Sequence, residues 1–86
     1  MKTIWKVLST EDNREFLAAL RKVDSLETAN NILLEILPIV AKHDAQHDSD
    51  ISISSENISV ILHGHSSKPI DDSDWSLANE LEPLLK

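Results

Sequence analysis

Ala29, Ile32, Leu33, Ile36, Leu37 and Val40 recur at helical spacing and draw one wide apolar stripe. A stripe of that width marks a core helix, which needs a second apolar surface to pack against. Asp24 or Ser25 can cap its start, and Glu27, three residues after Asp24, completes an approximate capping box. Pro38 removes one backbone hydrogen bond and predicts a kink about one turn before the end.

The flanking segments offer candidates for that second surface. Thr3–Leu8 alternates polar and apolar residues as a short strand does, and turn formers at Ser9–Asn13 interrupt it. Arg14–Val23 is ambiguous. Phe16, Leu17, Leu20 and Val23 fit helical spacing and Ala18-Ala19 favour helix, but the same residues fit a strand paired back on the first. Beyond Lys42 the chain turns polar and titratable through His43–Asp50. Ile51 and Ile53 alternate with serines, Ser55–Asn57 supplies a turn, and Ile58, Val60 and Leu62 alternate again, which predicts a hairpin from Asp50 to Gly64. Ser66–Pro69 is a loop. The last predicted helix starts near Asp71–Ser73 and turns Trp75, Leu77, Ala78, Leu81 and Leu84 inward, with Pro83 fraying its end.

Composition narrows the function classes. Eighty-six residues, 41 % apolar and 27 % charged, make one globular domain spanning 1–86. Only Trp5, Phe16 and Trp75 are aromatic, so Leu, Ile and Val must fill the core. The absence of cysteine excludes disulfides, thiolate metal sites and a cysteine nucleophile. Eight basic against fifteen acidic residues, a net charge of −7, argue against a nucleic-acid partner. No apolar run approaches the roughly 20 residues of a membrane span. Met1–Trp5 leads into no signal-peptide core, so a cytoplasmic location and no membrane partner are expected.

All four histidines fall between His43 and His65. A helix continued through Gln46 would place His43 and His47 on one face, and a strand would do the same for His63 and His65. Such pairs can chelate Zn²⁺ or Ni²⁺, which makes a metal-binding module one alternative. The lack of thiolates and of a clear ligand motif predicts no stoichiometric ion. Surface histidines capping a helix end and a strand end are a second alternative. A third is an acid–base site, in which Asp44, Asp48, Asp50 and Asp74 orient the imidazoles.

From His43 to Ala78 the chain resembles the C-terminal half of the pterin-4a-carbinolamine dehydratase family. That family carries an acidic or polar residue, three intervening residues, His-His-Pro, an aromatic near the next hairpin, a third His, and an Asp opening a helix. Here His43, three residues, then His47-Asp48-Ser49 are followed by Ser55, nine residues to His65, and eight to Asp74. The register runs on without a gap to Leu77-Ala78, with Ile70 at the apolar position before the helix. Upstream, Val23, Leu26, Ala29 and Ile32 give a weaker echo. The chain departs from the pattern at the second histidine (Asp48), the proline (Ser49), the aromatic (Ser55) and the Gly-Gly loop (Ser67–Pro69). The family's N-terminal helix is missing or very short.

The resemblance implies an α+β fold in two layers, β-β-α-β-β-α, with helices on one face of a four-stranded antiparallel sheet. Glu15–Val23 then becomes a strand despite its helical propensity. It implies dehydration of a reduced pterin by general acid–base catalysis without metal or bound cofactor. His47, His65 and Asp48 would be catalytic, and His43, His63, Asp74 and Trp75 substrate-binding. A homodimer or tetramer joined through an edge strand is also implied. The alternative is a non-catalytic relative serving as a protein-binding, assembly or dimerisation module.

Overall fold

Two hairpins and two helices build the molecule, and residue alternation along the strands decides how they stack. The computed structural model describes residues 3–11, 14–43, 49–63, 70 and 72–86. In chain order these form β1 (Lys6–Ser9), β2 (Glu15–Lys22), α1 (Leu26–Lys42), β3 (Ser49–Ile53), β4 (Asn57–His63) and α2 (Asp72–Leu85). The strands make one antiparallel sheet in the order β1-β2-β4-β3.

Register sorts the sheet residues into two faces. Leu17 pairs with Leu62 and Ala19 with Val60, while Ile51 and Ile53 of β3 sit opposite Val60 and Ile58. Leu17, Ala19, Ile58, Val60 and Leu62 are all buried. They meet Ala29, Ile32, Ile36 and Val40 of α1 and Leu77, Ala78, Leu81 and Leu85 of α2 in one core. Both helices therefore cover the same face, and the expected two-layer α+β architecture is the observed one.

β2 is a strand over Glu15–Lys22, where local propensity favours helix. Its pairing on both sides, to β1 and to β4, satisfies its backbone in a way no isolated helix could match inside this sheet. Helix α1 is capped by Ser25, whose hydroxyl accepts from the Thr28 N–H at 3.1 Å. The capping residue three positions on is thus Thr28, and Asp24 instead accepts from the Thr28 hydroxyl at 2.8 Å.

Three expectations need correction. The first strand starts at Lys6, because Thr3–Trp5 dock on α2: the Thr3 hydroxyl and Ile4 N–H donate to Glu82, and the Trp5 indole N–H donates to the Ala78 carbonyl. Leu33 is only half-buried and Leu37 is 47 % exposed, so the α1 stripe is wider than the core it fills. Pro83 does not fray α2. The helix runs to Leu85, itself buried, and the Arg21 guanidinium donates to the Leu84 carbonyl at 2.7 Å. That bond satisfies a carbonyl that a helix C-terminus would otherwise leave without an intrahelical donor.

Candidate functional site

The sheet topology brings the C-terminal end of α1, the start of β2, the start of β3 and the end of β4 together. Phe16 lies opposite His63 and Ser49 opposite Leu62, so these ends share one edge of the sheet. The chain enters α2 from the same side, since the Ile70 N–H donates to Glu15 at the start of β2. Of the expected site residues, His43, His63, Asp74 and Trp75 are described. His47, Asp48 and His65 lie outside the described residues, as do the neighbouring Asp44 and Gln46.

His43 is the C-cap of α1, and its backbone N–H returns to the Ile39 carbonyl. The helix ends at Lys42, and the expectation of a run continued through Gln46, with His43 and His47 on one face, falls on residues outside those described. The His43 ring is held from the opposite helix, with Nε2 at 3.0 Å from Glu80. Lys42 donates to the other oxygen of the same carboxylate at 2.8 Å. These two contacts, Lys42 foremost, hold the Glu80 carboxyl below the usual glutamate range. A carboxylate only accepts, so in this contact His43 Nε2 is the donor.

His63 ends β4 and points to the sheet face away from the helices. Its Nε2 lies 2.6 Å from the Asp50 carboxylate on β3, and its ring centroid lies 6.1 Å from that of Phe16. Asp50 was among the carboxylates expected to orient an imidazole, and here it does so across the strands. Asp74 is half-buried in the first turn of α2, where the helix dipole favours an acid. Trp75 is half-buried and packs against the core from the α2 side.

His43 and His63 are therefore each fixed by a carboxylate, but on different layers of the fold: one between the helices, one on the open sheet face. Among the described residues no three metal-ligating side chains converge. Glu80 was absent from the sequence-level candidates because it meets His43 only through helix–helix packing. Phe16 was absent as well, because its place beside His63 depends on the β2–β4 register.

A cleft of about 270 Å³ opens between α1 and β3, lined by Leu33, Leu37, Val40, Ser49 and Ile51. It adjoins β3, an edge strand of the sheet. No described helix is long and apolar enough to cross a membrane.

No protein-family model matches the chain, and no curated protein matches it. A solved structure does: the crystal structure of a transcriptional coactivator/pterin dehydratase from Brucella melitensis, with a TM-score of 0.75 at 17 % sequence identity. The match covers 96 % of this chain and 83 % of that one, so the two share their fold over nearly the whole of this chain.

Proposed function

We propose that this chain is a pterin-4a-carbinolamine dehydratase-like protein. The supporting observation is a coincidence of two independent likenesses. The spacing of His43, His47, His65 and Asp74 resembles that family, and the fold is similar to that of a protein described as a pterin dehydratase. In the proposed reaction one group donates a proton to the 4a-hydroxyl, which leaves as water. A second takes a proton from a ring nitrogen, and the electron pair released forms the C=N bond. His47 and His65 fill these roles, with Asp48 as an acceptor for pterin N–H groups or as the base. The resemblance assigns substrate contacts to His43, His63, Asp74 and Trp75, and since His43 sits between the helices and His63 on the open sheet face, only one of these two histidines can share a face with the ring.

Carbinolamine loss followed with the natural protein tests this. His47→Ala and His65→Ala are each expected to slow turnover about 10²–10⁴-fold, the usual worth of a positioned acid or base. Asp48→His is expected to raise it. A natural protein no faster than buffer overturns the enzymatic reading.

The edge strand favours a second reading, a binding or dimerisation module. β3 borders the apolar cleft, and Leu34 and Leu37 on the nearby helix are 59 % and 47 % exposed. Pairing β3 with a second copy would extend the sheet and cover the cleft. Sedimentation is then expected to show a dimer or tetramer that Leu37→Glu dissociates. A monomer at all concentrations removes this reading.

A further inference from the structure

The sheet face opposite the helices carries its own apolar surface. Register sets Leu8 beside Phe16 and Ala18 beside Ile61, with Leu20 next along β2. Leu20 is 60 % and Leu8 43 % exposed, and no described element covers them. Contiguous exposed apolar surface of this kind marks interaction sites.

Charge identifies the occupant. The protein carries fifteen acidic residues and a net charge of −7, yet the described strand positions of this face include one carboxylate, Asp50, already held by His63. Against it stand Lys6, opposite Ala18, and Lys22, four residues further along β2. Neither lysine has a carboxylate partner among the described residues. Among the described strand positions this apolar face thus carries two lysines against one carboxylate that is already paired, on a molecule that is acidic as a whole.

We propose that this face docks an acidic amphipathic helix of a partner protein. By strand geometry Lys6 and Lys22 lie about 14 Å apart, on either side of Leu20. Acids seven residues apart on a helix are about 10.5 Å apart and reach both ammonium groups, while leucines between them meet Leu20 and Ile61. The other face of the same sheet is already covered by helices whose outer surfaces carry Glu27, Glu35 and Glu80. Two lysines are too few for a phosphate backbone or an anionic bilayer, and the net charge opposes both. At physiological salt, screening confines the attraction to contact range, where this face and not the whole molecule sets the sign.

A synthetic peptide of about five helical turns, with leucines on one face and glutamates flanking them seven apart, is the probe. Amide shifts of the natural protein are expected to move at Leu8, Ala18, Leu20 and Ile61. Lys6→Glu with Lys22→Glu, and separately Leu20→Ser, should weaken binding about tenfold or more, and raised salt should weaken it too. A sister peptide with lysine for glutamate should bind at least about tenfold less well. Equal binding of the two peptides overturns the proposal, as do shifts confined to Leu33, Leu37 and Ile51 or no shifts at all. Shifts at this face that grow with protein concentration alone assign it to a second copy and overturn it as well. So does lysine-dependent binding to phosphatidylserine vesicles in place of the peptide.

Discussion

Trp5 illustrates how one side chain ties distant parts of a small fold together. It is 4 % exposed, and its indole N–H donates at 2.9 Å to the carbonyl of Ala78, 73 residues away. A buried indole needs such a partner, and here the partner is a helix carbonyl, which has two lone pairs and can accept this bond beside an intrahelical one. Trp5→Phe removes the donor and leaves a gap in the core. It is expected to cost about 1–3 kcal/mol, from the lost hydrogen bond and the lost volume. Thermal melts should show a Tm lower by roughly 5–15 °C with the fold retained. An unchanged Tm would mean that the segment before β1 contributes nothing to stability. Its burial corrects the expectation of a core filled by Leu, Ile and Val alone, and neither the burial nor the hydrogen bond was legible, because nothing local to Trp5 points to Ala78.

At the scale of elements, α1 carries a built-in weakness. It runs unbroken from Leu26 to Lys42 although Pro38 lies inside it. Proline supplies no N–H for the carbonyl four residues back and crowds it, which makes it about 3 kcal/mol worse than alanine in a helix interior. Pro38 is exposed, so no packing is lost on replacing it. Pro38→Ala is therefore expected to stabilise the protein by about 1–3 kcal/mol, read as a higher urea midpoint at unchanged m-value. A lower midpoint would show that the proline shapes the helix end that presents His43. The elements themselves were largely readable. The hairpin of β3 and β4 follows from period-two alternation, and α1 from its 3.6-residue stripe, each a pattern contained in a dozen residues or so. β2 was not readable from propensity, because its strand state rests on neighbours on both sides, Lys6–Ser9 and Asn57–His63.

At the scale of the whole molecule, two carboxylates of α2 fasten distant segments from outside the core. Glu80 joins α2 to the end of α1, and Glu82 joins α2 to Thr3 and Ile4. Both titrate below the ordinary glutamate range, Glu80 chiefly through Lys42 and Glu82 chiefly through the Thr3 hydroxyl. A folded-state pKa below the unfolded one gives a contribution that is complete above the unfolded value, about 4.3, and is lost as pH falls through the folded value. Acid unfolding of the natural protein should therefore steepen below about pH 4, and Glu80→Gln with Glu82→Gln should flatten that slope. Equal slopes for the two proteins would show that other carboxylates dominate acid unfolding. What the amino-acid order determined alone was α1, the β3–β4 hairpin, α2 and most of their buried positions, because periodicity and capping act over a few residues. The spacing of His43, His47, His65 and Asp74 was equally plain. Tertiary structure alone decided that His43 meets Glu80 between the helices while His63 meets Asp50 on the open face of the sheet. It also decided that Lys6 and Lys22 share that face with Leu20. These pairings depend on strand register and helix packing between residues far apart in the chain, and no local pattern encodes them.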